Sequence, residues 1–235
     1  NKNNMNKNYV IIGGSSGIGK ELVSILLREG HSVFATYNEN KVENHDKVQY
    51  QKYNVLNDSL NLDILPDEID GLVYCPGSIN LKPFKRFTEE DFISDFKLQV
   101  VGATKIIKIL LPRLAKIGNS SIVLFSTIAV QNGFNFHSQV AISKGAIEGL
   151  TRSLAAELAP KVRVNAVAPS LTDTSLASKF LNTPQKIAAQ AENNPLKKIG
   201  TAKDVAEAAA YLVTDKSSWT TGQILHVDGG YSTIK

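Results

Sequence analysis

The sequence predicts one α/β domain in which a doubly wound, parallel sheet carries helices on both faces. The first observation behind this is alternation: apolar runs of strand length at 9–12, 33–36, 48–53, 72–74, 122–126, 162–168 and 224–227 are separated by stretches of helical period. Such strands are nearly continuous in apolar residues because a parallel sheet is buried on both faces. The second is size, since 235 residues suit one domain that buries its core without disulfides or metals. The third is a glycine-rich turn set between the first strand and the first helical pattern.

Composition narrows the class. Hydrophobic residues make up 43% and charged residues 20%, a globular balance. No apolar run approaches the roughly 18 residues of a membrane span, so no membrane partner is expected. The single cysteine, Cys75, excludes an intramolecular disulfide and a cysteine-based metal site, and favours the cytoplasm. Net charge is only +4, with Lys and Arg scattered, so no nucleic-acid partner is expected. The first eight residues, NKNNMNKN, lack an apolar core and read as a disordered tail or tag remnant, with the domain running from 9 to 235.

Taken in order, the elements justify themselves locally. The strand Tyr9-Val10-Ile11-Ile12 runs directly into Gly13-Gly14-Ser15-Ser16-Gly17-Ile18-Gly19, and a helix carrying Leu22, Ile25 and Leu26 follows. Glycines in this setting let backbone approach a pyrophosphate, whose charge suits the exposed N–H groups of a helix start. Cys75, in LVYCPG, marks a buried strand end. Phe87, Thr88, Asp91 and Phe92 occupy the places of a hydrophobic staple around a capping box, predicting a long helix that reaches Pro112 or beyond. Thr201 and Asp204 form a second box, followed by an apolar stripe of Val205, Ala208, Ala209 and Leu212. From 170 to 200 the pattern weakens, with Pro184 and Pro195 interrupting short helical pieces such as 187–191, as expected of a lid over a pocket.

Several motifs together resemble the short-chain dehydrogenase/reductase family. The glycine turn resembles its T-G-x-x-x-G-x-G, with Ile12 in place of Thr. Asn54-Val55 stands where Asp-Val is usual, Tyr74-Cys75-Pro76-Gly77 where Asn-Asn-Ala-Gly is usual, and Asn165-Ala166-Val167-Ala168-Pro169-Ser170 where N-x-V-x-P-G is usual. Residues 221–230, TGQILHVDGG, match closely, so the resemblance spans nearly the whole chain. It implies a Rossmann-type domain with seven parallel strands, a nicotinamide cofactor, and a homodimer or homotetramer formed through the helices carrying Gln99 and Lys144.

Residue by residue, the cofactor contacts it implies are Gly13, Ser15, Ser16, Gly17, Ile18 and Gly19, then Tyr37 and Asn38 after the second strand, Asn54 and Val55, Cys75 and Gly77, Lys144, and Pro169, Thr172 and Thr174. Tyr37 occupies the place where NAD-binding members carry a ribose-holding acid. With no acid there to repel a 2′-phosphate, and with Asn38 and Lys41 nearby, the set favours NADP, with NAD as the alternative. Asn54 keeps a carbonyl acceptor for adenine.

The catalytic segment departs from the family. Aligned on Lys144, Thr127 takes the place of the family's Ser and Val140 that of its Tyr, whose hydroxyl serves as general acid or base. Valine has no proton to give. Gln99 stands where an Asn holds a relay water, and His137, seven residues before Lys144, is the candidate replacement donor. In the enoyl-acyl carrier protein reductase branch the motif is Y-x-x-M-x-x-x-K, whose Tyr aligns with His137 and whose Met aligns with Val140. An imidazole, with an unperturbed pKa near ~6.5, can donate a proton at neutral pH.

Two functional classes follow. One is an atypical NAD(P)-dependent oxidoreductase transferring hydride to or from a small, partly apolar carbonyl or activated alkene, with Lys144, Thr127, His137 and Gln99 at its centre. The other is a catalytically silent NAD(P)-binding subunit acting as a sensor or partner.

Overall fold

The computed structural model describes residues 6–234. In chain order its elements are β1 (Asn8–Ile12), α1 (Gly17–Arg28), β2 (Ser32–Tyr37), β3 (Val48–Lys52), β4 (Gly71–Tyr74), α2 (Glu89–Phe96), α3 (Gly102–Ile117), β5 (Ser120–Phe125), α4 (Ser138–Leu158), β6 (Val162–Pro169), β7 (Thr172–Asp173), α5 (Pro184–Glu192), β8 (Gly200–Thr201), α6 (Ala202–Val213) and β9 (Ile224–Val227). Seven strands form one sheet in the order β3-β2-β1-β4-β5-β6-β9, and every pairing in it is parallel. This is the doubly wound, seven-stranded architecture that the motifs imply.

The order places the site. The chain runs outward from β1 through β2 to β3, then crosses back to β4 on the other side of β1. At that reversal the connections leave β1 and β4 on opposite faces, opening a crevice beyond their carboxyl ends, the usual ligand position in such sheets.

Two apolar layers hold the helices to the sheet. On one face α1 and α6 pack over Tyr9, Ile11, Val33 and Val73, with Leu22 and Leu26 fully buried. Each such side chain contributes roughly 1.5–3 kcal/mol by leaving water. On the other face α3 and α4 cover Val10, Ile12, Leu72 and Ile122 through Ile106, Leu110 and Ile147. Arg163 of β6 reaches the end of α6 and donates to the carbonyl oxygens of Leu212 (3.2 Å) and Thr214 (3.0 Å), giving the helix terminus partners that it lacks internally.

Both capping boxes form. Thr88 accepts from the Asp91 N–H at 3.2 Å while Asp91 accepts from the Thr88 N–H at 2.8 Å, and the Phe87 and Phe92 rings of the staple lie 5.2 Å apart. Thr201 and Asp204 repeat the arrangement at 3.1 and 2.8 Å. The helix started by Thr88 passes through Pro112 to Gly118, whose φ of 76° ends it.

Two expectations differ from the structure, and one feature was not expected. Residues 1–5 of the expected tail lie outside the described residues, but the remaining three are tied down. Asn6 donates to Ser32, Lys7 pairs with Asp215 at 2.7 Å, and Asn8 opens β1. Pro184 starts a helix where interruption was expected, because Thr183 caps α5 and proline fits the first helical position. The long helix also carries one π turn, at Lys97–Val101, which no local pattern announced.

Gly71 is a test of the packing. A methyl group there would lie 2.5 Å from Cγ2 of Val213 and 2.8 Å from Cδ1 of Tyr9. Gly71→Ala is expected to cost about 1–3 kcal/mol by overpacking, read as a lower urea midpoint with an unchanged slope.

Candidate active site

The glycine turn is held by the neighbouring strand. Gly13 donates to Oγ1 of Thr36 and Gly14 to its carbonyl oxygen, both at 2.9 Å. Gly13 and Gly17 adopt φ of 80° and 51°, backbone that favours glycine. At Gly19 a Cβ would run into the carbonyl oxygen of Gly13, so only glycine lets α1 start so close to the turn. Ser16 caps α1 without a side-chain bond to the first turn, and that turn contains no acid. Its N–H groups and the positive end of the helix are thereby left for an anion. Thr174 closes over the turn, its Cγ2 3.6 Å from where a Gly17 Cβ would stand. These residues fit a pyrophosphate.

The far end of the turn is less committed to a nucleotide. Tyr37 closes β2 and Asn38 follows it, exposed, while Val55 is buried. Lys41 pairs with Glu43 at 3.3 Å. The carbonyl of Asn54 already accepts from the Leu56 N–H at 2.9 Å, so its first role is to shape its own turn.

β4 ends beside this turn. Cys75 donates its N–H to Ile12 at 2.9 Å, and burial pushes its thiol up to about 12 against the pull of Lys144. The Tyr74 hydroxyl donates to the carbonyl of Leu98 at 2.6 Å, supporting the π turn from below. That turn delivers Gln99, only 1% exposed, to the space beside Gly77.

β5 ends in Ser126 and Thr127. Ser126 donates to the buried carboxylate of Glu148 at 2.9 Å, whereas Thr127 caps the short 3-10 turn Ile128–Val130 by accepting from Ala129 at 3.3 Å. That bond leaves the Thr127 hydroxyl hydrogen available to a ligand. His137 precedes α4, and Phe136 before it has a φ of 69°, a conformation few side chains adopt. Nδ1 of His137 lies 2.7 Å from the carbonyl of Asn135. Nδ1 must therefore carry a hydrogen, and Nε2 has one to donate only in the imidazolium form. One turn into α4, Val140 is 7% exposed, and one turn further stands Lys144. Burial lowers the Lys144 pKa to about 8, against the charges of Asp95 and Cys75, which raise it.

One cavity of about 530 Å³ joins these parts. All four catalytic candidates, Gln99, Thr127, His137 and Lys144, line it, together with Ile18, Cys75, Gly77, Val140, Pro169, Thr172 and Thr174. Gly13, Ser15, Ser16, Gly17, Gly19, Tyr37, Asn38, Asn54 and Val55 lie outside it, along the turn and the ends of β2 and β3. The outer wall is apolar, with Ile79, Leu81, Leu171, Leu176 and Phe180. Sequence reasoning missed Tyr231, whose ring lies 5.7 Å from Phe134 over the cavity. Its backbone turn is tied by Asp228, which accepts from Gly230 and Ser232 at 2.9 Å each. Sequence reasoning also missed Thr36 and Asp95, although Asp95 is one helical turn before Gln99.

Residues 63–232 match the family model described as enoyl-(acyl carrier protein) reductase, about 70% of the chain. The protein is a member of the short-chain dehydrogenase/reductase family. It is 30% identical, over 97% of its length and 99% of the relative's, to the uncharacterized oxidoreductase YmfI of Bacillus subtilis. It is equally similar, at 30% over 94% of its length and 96% of the relative's, to the 3-oxoacyl-[acyl-carrier-protein] reductase FabG of Thermotoga maritima. Among solved structures, the ligand-free aldohexose dehydrogenase of Thermoplasma acidophilum superposes with a TM-score of 0.88 at 25% identity, covering 99% of this chain and 96% of that one. Membership makes the chain an oxidoreductase of a nicotinamide-dependent family.

The close approach at Gly19 separates steric from conformational roles of glycine. Gly19→Ala should lower stability by about 1–3 kcal/mol through the clash with Gly13. Gly30→Ala, where φ is 89° but nothing lies within 4 Å, should cost only the roughly 1 kcal/mol of backbone strain. Urea titration of the two variants makes the comparison.

Proposed function

We propose that the protein is an NAD(P)-dependent oxidoreductase, favouring NADP, that takes its proton from a source other than the family's Tyr. What carries the reading is the single cavity lined at once by Ile18 and Thr174 at the glycine turn and by Gln99, Thr127 and Lys144 at the catalytic positions. Bound NAD(P) would supply or accept the hydride. Lys144 would hold ribose hydroxyls, and the Thr127 hydroxyl would donate to a substrate oxygen, steadying negative charge that develops there. Val140 offers that oxygen no proton. General acid assistance is worth roughly 10²- to 10⁴-fold, so ketone reduction suffers most.

An activated alkene suffers less, because hydride goes to its β-carbon and leaves a delocalised enolate rather than an alkoxide, and the enolate takes a proton from solvent or from His137. The enoyl-(acyl carrier protein) reductase description of the family model makes an acyl thioester with a conjugated alkene a fitting test substrate. The apolar outer wall suits a small, partly apolar molecule, and residues 170–200 serve as its lid. Exposed Ile93, Phe96, Val101 and Ile142 on α2, the π turn and α4 suit a homodimer or homotetramer, which sedimentation would detect.

Titration should show NADPH binding more tightly than NADH, and binding of neither would refute the reading. Turnover should appear with enals or enoyl thioesters before simple ketones, and should fall in His137→Ala if that imidazole is the donor. Val140→Tyr should raise ketone reduction by about 10²-fold or more. The second reading, a catalytically silent NAD(P)-binding subunit, is favoured by the burial of Val140 in the cavity wall. It predicts cofactor binding with no turnover in either form.

The charge on Lys144 sets the pH dependence. Below about 8 the ammonium is present, and above it the charge is lost, so NADPH affinity should weaken as pH rises through 8. The free protein responds with the opposite sign. Its Lys144 releases a proton before the unfolded chain does at about 10.4, so this residue's contribution makes stability rise from pH 8 to 10.4. Lys144→Met should remove both trends.

A further inference from the structure

Ser143, next to Lys144 on α4, bonds a carboxylate for which the family resemblance assigns no role. Asp95 on α2 is buried, and its oxygens collect hydrogen bonds from three directions. Ser78, after β4, donates to Oδ1; Ser143, on α4, donates to Oδ2 at 2.5 Å; and Nε2 of Gln99 donates to both oxygens at 2.8 and 2.9 Å. A carboxylate only accepts, so the Gln99 amide cannot be reversed. Its Oε1 must face the other way, where it is buried without a partner. That atom lies 3.3 Å, and Nζ of Lys144 3.8 Å, from the point where a Gly77 Cβ would stand. An unsatisfied carbonyl and an ammonium thus flank the space that Gly77 leaves open.

We propose that Asp95 is the positioning residue of this site: it fixes Gln99 with its carbonyl toward the space shared with Lys144 and gives the buried ammonium there a counter-charge. The valine at position 140 makes this arrangement matter, since no Tyr hydroxyl shares the space with Lys144. The charged or titratable groups acting on Lys144 are Asp95 from α2 and Cys75 after β4, and the Cys75 thiol is held neutral by its own burial. Asp95 is therefore the carboxylate that acts on Lys144. The proposal rests on the reading of Lys144 and Gln99 as site residues, although its first test requires no turnover.

The test is the pH dependence of Lys144 acetylation by acetic anhydride in the intact protein, read peptide by peptide by mass spectrometry. The wild-type midpoint should lie near 8. In Asp95→Asn it should fall by about 1 unit, because the opposite charge acting on the ammonium is removed. In Ser143→Ala, which keeps the charge, it should move far less. An unchanged midpoint in folded Asp95→Asn overturns the proposal. If that variant does not fold, the wild-type protein still decides. The Gln99 side-chain amide, bonded to a carboxylate, should exchange its hydrogens with solvent far more slowly than surface glutamines, and exchange at surface rates overturns the proposal. Protection of Lys144 by NADPH is a separate arm. Its absence would count against the cofactor reading while leaving the role of Asp95 standing.

Discussion

The structure depends on how closely α1 approaches the end of β1. The first turn of that helix rests on the carbonyl of Gly13, a contact that any side chain at Gly19 would prevent. Thr36 fixes the same turn from β2 with two hydrogen bonds. From this approach follow the aim of the α1 amino terminus into the crevice, the position of Pro76 against Gly13, and the path that brings Gly77 past Gln99 and Lys144. A helix start displaced by one methyl group would shift the wall against which the rest of the cavity is assembled.

A second polar centre, unrelated to the turn, governs the catalytic end. Three donors make four hydrogen bonds to Asp95 from three separate segments, so α2, the loop after β4 and α4 are registered against one another by a buried carboxylate. Removing one member of such a network leaves the others unsatisfied in a region of low polarity, which makes its parts interdependent. Ser126, Gln131 and Arg152 form a comparable set around Glu148 on α4. The two sets hold α4 along its length while leaving Val140 and Lys144 facing the ligand space.

Much of this was legible in the sequence because the responsible signals are local. The strands declared themselves as apolar runs, and the boxes at Thr88 and Thr201 each needed only four residues to be read. Gln99, Thr127, His137 and Lys144 come from three regions of the chain, and family spacing was enough to predict that they would share a cavity. What escaped was non-local or locally ambiguous. Pro184 can break a helix or begin one, and Thr183 decides which. Tyr231 reaches the cavity only because Asp228 folds the chain end back over Phe134. The side-chain carbonyl of Asn54 accepts from the Leu56 N–H, a turn contact that its motif position does not announce.

The π turn at Lys97–Val101 carries an implication for how this helix can vary. It amounts to one residue more than an α-helical path requires, and each residue advances a helix by about 100°. The segments before and after it are therefore out of phase by about that angle, and the turn itself carries Gln99 inward. Loss of a single residue within this turn would leave both flanking segments helical yet rotate one against the other, parting Asp95 from the apolar seam of α3. The length of this helix is thus fixed to the residue, whereas the loops around the cavity mouth are under no comparable restriction.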